Sequence, residues 1–143
     1  MRTFRRPESV LVIVAAGDDV LLLRRSDPPD YWQSVTGSLE WGESAPAAAK
    51  RELREETGLL ADVDLEDTGI VNDFQIVPPW TEKFAPGTTT NREYVYLLQL
   101  RDRPRIELDT REHVEYRWLR PADAIALAAS STNRDAIRRL LKS

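Results

Sequence analysis

The 143-residue chain contains no cysteine and only one histidine, His113. These shortages exclude thiolate catalysis and the usual zinc sites, and they all but exclude a serine–histidine triad. Any metal bound here would have to take oxygen ligands. Long apolar runs are also missing: no window approaches the roughly 18 apolar residues of a membrane span, and the N-terminal MRTFRRPESV is not followed by the apolar stretch of a signal peptide. The sequence therefore predicts a cytoplasmic protein with no membrane partner.

An excess of positive charge is missing as well, because the net charge is −4. Proteins that bind along nucleic acid rely on many phosphate contacts from Lys and Arg, so a nucleic-acid polymer is not expected as a partner. Anionic small molecules remain compatible if a cation mediates. With 41% hydrophobic and 31% charged residues, the chain has the composition of one globular domain, residues 1–143, whose oligomeric state the sequence leaves open.

Apolar runs and turn residues predict strands, a helix, more strands and terminal helices, which indicates one mixed α/β domain. Strands are expected over 10–16, 20–25, 31–37, 63–77, 92–100 and 114–119, with a hairpin turn at 17–19 and a long loop at 77–91. The main helix is expected to follow the N-cap Ser44 and to end at Gly58. Further helices are expected over 121–129 and 132–142, the last capped by Thr132 or Asn133.

The predicted helix over 44–57 has an unusual charge distribution. At about 100° per residue, one face combines alanines with glutamates, and the opposite face is basic and polar. The first face consists of Ala45, Ala49, Glu52 and Glu56, with Ala48 and Glu55 on one flank and Leu53 on the other, and the second of Lys50, Arg54 and Thr57. The alanine side is the one expected to be buried. Buried carboxylates without partners are unfavourable, because they are desolvated and repel one another, so a positive group is expected among them.

A solvated helix surface with Glu–Lys and Glu–Arg pairs is the simplest alternative. The spacing, however, gives only one good i,i+4 pair, Arg51 with Glu55, and places Glu52 and Glu56 in a repulsive one. The preceding loop GSLEWGE adds a fourth acid, Glu43, and two glycines that permit tight turns. Mg²⁺ and Mn²⁺ prefer carboxylate oxygens together with water and substrate phosphates. The pattern therefore predicts a divalent-cation site.

Residues 37–59, GSLEWGESAPAAAKRELREETGL, match the Nudix box at all nine of its defined positions over 23 residues. The chain thus resembles the Nudix hydrolases. The resemblance implies an αβα sandwich with a central mixed sheet, and hydrolysis of a nucleoside diphosphate linked to another group, with Mg²⁺, or Mn²⁺ as a substitute. By position, it implies metal ligation by Glu52, Glu55 and Glu56 and by the carbonyl of Thr36.

The same resemblance implies that Arg51 and Glu43 hold the loop and the helix in register. Glu52, Glu55, Arg51 and Glu43 together would form the catalytic group. Cations would neutralise phosphate oxygens and acidify a water molecule, while a glutamate takes the proton. The general base stays open among Glu52, Glu55 and Glu112.

Outside the box, the chain resembles the bacterial dihydroneopterin triphosphate pyrophosphohydrolases, also called dATP pyrophosphohydrolases. The matching segments are RRP at 5–7, LLRR at 22–25, DPPDYWQSVTGS at 27–38, FAPGTTTN at 84–91, EH at 112–113, YRWL at 116–119 and SSTNRDAI at 130–137. This implies cleavage of dihydroneopterin triphosphate to the monophosphate and pyrophosphate in folate biosynthesis. It also implies substrate contacts from Arg6, Arg24, Thr36 and Ser130, and a further metal ligand in Glu112. Region 61–83 does not match, so the base or pterin selectivity stays open.

These residues also have ordinary alternatives. Arginine forks suit phosphate oxygens, but an isolated Arg6 or Arg24 more often forms a surface ion pair. The hydroxyls of Thr36 and Ser130 could serve caps or turns. Trp32, beside the expected mouth of the site, either stacks on a flat heterocycle or packs in the core. The sequence alone does not decide between these roles.

Three functions are compatible with these observations. The first is a pterin triphosphate hydrolase. The second is a housecleaning pyrophosphatase for nucleoside triphosphates such as dATP or oxidised nucleotides, which would use the same metal site. The third is a non-catalytic Nudix-fold binding module, which would be expected to have lost glutamates of the box. This chain retains them all, so an enzyme is predicted.

Overall fold

Seven strands form one mixed sheet in the computed structural model, which describes residues 3–61 and 64–141. They are β1 (Glu8–Ala16), β2 (Asp19–Arg25), β3 (Trp32–Gln33), β4 (Val35–Ser38), β5 (Leu65–Gln75), β6 (Thr90–Leu100) and β7 (His113–Leu119). The α-helices of the described residues are α1 (Ala45–Thr57), α2 (Pro121–Leu127) and α3 (Ser131–Leu140), and Trp80–Lys83 form a short 3₁₀ helix. None of these helices has the length and apolar character needed to cross a bilayer.

Strand β1 organises the sheet, whose order is β3-β2-β1-β6-β5. It runs parallel to β6 along its whole length, from the pair Glu8–Arg92 to the pair Ala16–Leu100. Its far end forms the hairpin with β2, while its first half pairs antiparallel with β4. Strand β7 extends the sheet by pairing with β2. Because β4 leads directly into the loop before α1, the pairing of β4 with β1 fixes where the helix starts.

Helices cover both faces of the sheet, which explains why residues 10–16 form a continuous apolar run. Val10, Val12 and Val14 belong to the core cluster that also contains Leu53 of α1. The residues on the opposite face of the sheet pack against α2 and α3; in β1 and β6 these are Leu11, Ile13, Val95 and Leu97. The expected α/β sandwich with a central mixed sheet is confirmed.

The limits of α1 were predicted correctly. Ser44 is the N-cap and accepts a hydrogen bond from the Ala47 N–H at 3.3 Å. Gly58 ends the helix in the left-handed conformation, with φ of 78°. The expected orientation of Thr57 was wrong, because its side chain is buried and donates to the Leu53 carbonyl.

The start of α3 differs from the prediction. Its N-cap is Ser130, whose hydroxyl accepts from the Asn133 N–H at 3.1 Å, so the prediction of Thr132 or Asn133 was wrong. The Asn133 side chain is buried and bonds both the N–H and the hydroxyl of Ser34. The strand predicted over 31–37 is interrupted at Ser34 and forms β3 and β4. The predicted boundaries at 63 and 142 lie outside the described residues.

Candidate active site

The three glutamates of α1 differ in burial. The side chain of Glu56 is 2% exposed, that of Glu52 is 12% exposed and that of Glu55 is 48% exposed. The inward charge expected from the helical projection is therefore observed for Glu52 and Glu56. Glu55 stands at the edge of the site.

Glu56 carries two buried oxygens that have no hydrogen-bond partner among the described residues. The Glu52 carboxylate and the Thr36 backbone lie beside it, but neither meets the geometry of a hydrogen bond. Burial, followed by the neighbouring Glu52, raises the pKa of Glu56 well above its ordinary value. Burial also raises the pKa of Glu52, although Arg51 opposes this. A cation placed here would favour the ionised form of both carboxylates.

These residues fit an oxygen-liganded divalent cation. The orphaned oxygens of Glu56 are acceptors that the protein leaves unsatisfied, and such groups are rare in the interior of a folded protein. Within residues 3–61 and 64–141, no group of three or more acidic or imidazole side chains is placed to hold a metal ion by itself. The protein thus offers a partial ligand set, of the kind that Mg²⁺ completes with water and substrate phosphates.

Arg51 connects this helix to the loop that precedes it. Its Nε and Nη2 donate to the two oxygens of Glu43, each at 2.8 Å, and its Nη1 donates to Glu52 Oε1 at 2.7 Å. Nη2 also donates to the Ser38 carbonyl at 3.1 Å. The pKa of Glu43 is lowered chiefly by its bond to Arg51. These contacts hold the Glu52 carboxylate and the loop in one fixed arrangement.

Gly37, in β4, allows the sheet to approach this carboxylate. A Cβ built on Gly37 would overlap the carboxylate carbon and both oxygens of Glu52. Only glycine leaves room for Glu52 between β4 and α1.

A cavity of about 790 Å³ is lined by Glu52 of α1 and by residues of β1, β4 and β6. Glu52 and Glu112 line it together with Thr36 and Gly37. Its other lining residues include Arg5, Arg25, Tyr31, Phe74, Trp80, Phe84, Asn91, Glu93 and Ser130. Glu112 also borders a more open depression that contains Glu55. Glu112 therefore borders both the cavity that contains Glu52 and the depression that contains Glu55.

Arg6 and Arg24 do not line this cavity. Arg6 Nη1 donates to the carbonyls of Glu40 at 3.1 Å and Glu43 at 2.9 Å, so this side chain anchors the loop before α1. Arg24 pairs with Asp30 and Glu115, both at 3.1 Å. The structure thus gives both arginines the ion-pair and anchoring partners that were the alternative to substrate contact.

The other predicted substrate residues fall into two groups. Trp32 is 6% exposed and packs in the core, with the Arg117 guanidinium 4.8 Å from its ring centre. Thr36 and Ser130 do line the cavity. The Thr36 hydroxyl donates to the Val10 carbonyl at 2.8 Å, and the Ser130 hydroxyl caps α3.

Several lining residues were missed at the sequence level. Arg25 lines the cavity where Arg24 was expected, because adjacent residues of a strand point to opposite faces. Tyr31 and Trp80 were not predicted, since Trp80 lies in a segment without a recognisable pattern. Asn91 and Glu93 carried a usable signal: they occupy the alternate positions of a strand whose next residue on that face, Val95, is buried and apolar.

Comparison with known proteins gives consistent results. Residues 5–140 match the NUDIX domain family. The dihydroneopterin triphosphate diphosphatase of Escherichia coli (strain K12) is 40% identical over 98% of this chain and 95% of its own length. A protein of the same name from Haemophilus influenzae is 33% identical over 99% of this chain and 91% of its own.

Solved structures also share the fold. The structure of the E. coli dihydroneopterin triphosphate pyrophosphohydrolase matches with a TM-score of 0.89, 41% identity and coverage of 98% of both chains. A Caenorhabditis elegans Ap4A hydrolase matches at 22% identity with a TM-score of 0.72, over 92% of this chain and 93% of its own. With a complete Nudix box on the observed helix, the chain therefore belongs to the NUDIX domain family and is a Nudix hydrolase.

Proposed function

We propose that this protein is a Mg²⁺-dependent pyrophosphohydrolase that cleaves dihydroneopterin triphosphate to the monophosphate and pyrophosphate, within folate biosynthesis in the cytoplasm. The observation that carries the proposal is the single cavity that contains both Glu52 and Glu112 and the rings of Tyr31 and Trp80. Glu52 and Glu112 can hold the cations of a bound triphosphate. Tyr31 and Trp80 can pack against a flat bicyclic heterocycle. The relatives of the same name support this substrate.

Glu52 and Glu56 are the proposed core of the cation site, and Glu55, Glu112 and the Thr36 carbonyl would complete it. When bound there, Mg²⁺, or Mn²⁺ in its place, supplies positive charge that neutralises phosphate oxygens and acidifies a water molecule. Glu52 is kept in position by the 2.7 Å bond from Arg51, which Glu43 holds from the other side. Arg51 and Glu43 therefore act by positioning the ligand rather than by touching the substrate.

The proton of the attacking water is proposed to pass to a carboxylate at this end of the cavity. Glu52, Glu55 and Glu112 are the three candidates, and Glu52 and Glu112 are the two that line the cavity wall. A general base must stand within hydrogen-bond reach of the water that it activates. Loss of the acidic limb of the pH–rate profile, where activity falls as the base takes up a proton, identifies it among the three Glu→Gln variants.

Phosphate contacts are proposed for the cationic residues Arg5 and Arg25, which line the cavity. Thr36 and Ser130 remain proposed substrate contacts from the same wall. Arg6, Arg24 and Trp32 were also predicted to contact the substrate. Their anchoring, ion-pair and packing contacts now favour support of the adjacent loop and strands.

The test is pyrophosphate release from a panel of dihydroneopterin triphosphate, dATP, 8-oxo-dGTP and a dinucleoside polyphosphate, with and without Mg²⁺. We expect the highest kcat/KM for dihydroneopterin triphosphate. Glu56→Gln should lower this value by orders of magnitude, because it removes a cation ligand. Glu66→Gln, the same change at an exposed position of β5, should not. Higher turnover of dATP would favour the housecleaning alternative, and full activity of Glu56→Gln would refute the assigned cation site.

A further inference from the structure

The floor of the cavity contains two buried polar residues of β6. Asn91 and Glu93 are 4% and 5% exposed, and they continue the face on which Val95 and Leu97 pack against α2 and α3. A strand over an apolar core would place apolar side chains at all of these positions. Along this face of β6, Val95 is covered by the helices, whereas Glu93 lines the cavity.

Both residues are held in place by neighbouring elements. The Asn91 amide donates to Ser9 Oγ of β1 at 2.7 Å, and Asn72 of β5 donates to Glu93 Oε1 at 3.2 Å. Thr132 of α3 also forms a hydrogen bond with the Glu93 carboxyl group. Burial raises the pKa of Glu93. Ser9 and Asn72 are the cross-strand neighbours of Glu93 on its two sides. The floor is therefore a fixed polar layer across three strands.

Acceptors remain free in this layer. Asn91 Oδ1 is buried and has no partner among the described residues. Leaving such an acceptor unpaired destabilises a folded protein. The two bonds to Glu93 come from Asn72 and Thr132, and a carboxylate can accept about four. The cavity floor thus offers acceptors to a ligand that brings N–H donors.

The walls fit a flat ring. The rings of Tyr31 and Trp80 meet edge to face with centroids 5.8 Å apart, and Arg25 lies 5.0 Å from the centre of the Trp80 ring. Phe74 and Phe84 complete the aromatic lining. A ligand ring among these side chains would direct its polar edge towards the floor.

We propose that Asn91 and Glu93 select the substrate ring by accepting hydrogen bonds from its adjacent N–H groups. An amino-pyrimidinone, as in pterin and guanine, presents a ring N–H beside an exocyclic amino group and can satisfy both acceptors. Adenine presents a ring nitrogen lone pair beside its amino group, so one acceptor would face a lone pair. This inference rests on the proposed function and adds the residues that choose the heterocycle.

The test compares kcat/KM for dihydroneopterin triphosphate, dGTP and dATP in the wild type, Glu93→Gln and Asn91→Leu. We expect the wild type to prefer the first two substrates. Glu93→Gln should lower kcat/KM for these two by about 10- to 100-fold, mainly through KM, because it replaces one carboxyl oxygen with an amide group that donates instead of accepting. Turnover of dATP should stay level or rise, since an amide can donate to the adenine ring nitrogen. Asn91→Leu should shift the preference in the same direction, and Glu66→Gln should leave all three values unchanged.

A binding measurement separates this inference from the proposed reaction. Calorimetric titration of the metal-free protein with neopterin and with adenosine gives the ring preference without catalysis. If Glu93→Gln loses neopterin binding while its thermal unfolding is unchanged, the inference is supported. A wild type that binds neopterin but fails to hydrolyse the pterin triphosphate would refute only the proposed function. A wild type without preference for neopterin, or equal losses for all ligands in both variants, would overturn the inference.

Discussion

His113 and Glu56 meet in the interior with neither side chain in its usual ionisation range. His113 is fully buried, and its Nε2 lies 3.8 Å from Glu56 Oε1 and 3.3 Å from Gln33 Nε2. Burial, aided by the charge of Arg25, lowers the pKa of His113 to about 4, while burial raises that of Glu56. The imidazole is therefore neutral at pH 7, and its contact with Glu56 is not an ion pair.

This gives His113 a measurable effect on acid stability. Its pKa is about 4 in the folded protein and 6.5 in the unfolded chain, so the unfolded chain takes up the proton first as pH falls. The stability present above pH 6.5 is lost between 6.5 and about 4, by up to about 3 kcal/mol. Replacing His113 with Gln should remove this loss, as measured by urea unfolding at pH 7, 5.5 and 4.5.

Glu56 acts in the opposite sense, because its raised pKa makes the folded protein bind a proton more readily and gain stability as pH falls. It is present in both proteins, so the difference between wild type and variant isolates His113. Equal pH dependence in the two proteins would show that the imidazole titrates normally.

Which side chains point into the site could be predicted for the helix α1, because the helical period of 3.6 residues fixes the side of the helix on which each residue lies. Alanines at 45, 48 and 49 marked the buried side of α1, and Glu56 follows from that side by geometry alone. Arg25 could not be chosen over Arg24 in this way. Both are charged residues at the end of β2, and which of them faces the cavity depends on the sheet register, which the local sequence does not contain.

At the scale of elements, β4 and α1 are matched to each other through Gly37 and Glu52. Gly37→Ala should displace the Glu52 carboxylate, because the new methyl group would occupy its place. We expect lower Mg²⁺-dependent kcat/KM and weaker Mn²⁺ binding by calorimetry. The free energy of unfolding should change by less than about 1 kcal/mol, since the end of a flexible side chain can move.

Gly42→Ala is the matched control for this change. Gly42 has φ of +83° and no atom within 4 Å of its Cβ position, so alanine there strains the backbone without touching a ligand. It should lower stability by about 1 kcal/mol or more and leave Mn²⁺ affinity intact. If Gly37→Ala also kept full Mn²⁺ affinity, the matching of β4 to Glu52 would have no role in cation binding.

The start of α3 shows why one cap was mispredicted. Residues 130–133, SSTN, are all good N-cap formers, so local propensity does not choose among them. The choice is made by Asn133, whose side-chain amide bonds the N–H and the hydroxyl of Ser34, 99 positions away in the chain. A contact between distant segments therefore sets the helix start.

Across the whole molecule, the two ends of the cavity differ in how far their residues could be predicted from the sequence. The cation end comes largely from one stretch, residues 37–56, so a single motif predicted it. The ring end combines Ser9, Tyr31, Trp80, Asn91 and Thr132, which come from separate elements. The pairing of β1 with β6 and the packing of α3 over them bring Ser9, Asn91 and Thr132 together, whereas Tyr31 and Trp80 come from the segments before β3 and before β6.

The buried carboxylates should also couple cation binding to the stability of the whole fold. In metal-free buffer, Glu56→Gln should unfold at a higher temperature than the wild type, because it removes a buried acid next to Glu52. With Mn²⁺ at 100 times its dissociation constant, the wild type should gain about 2.7 kcal/mol, or several degrees, from binding to the folded state alone.

The variant should lose most of that gain, so the order of the two melting temperatures should reverse between EDTA and Mn²⁺. Glu66→Gln, exposed on β5, should follow the wild type in both buffers. Equal Mn²⁺ shifts in all three proteins would mean that the cation binds elsewhere. The two buried oxygens of Glu56 would then need another partner, because an unpaired carboxylate is stable in an apolar interior only when it is protonated.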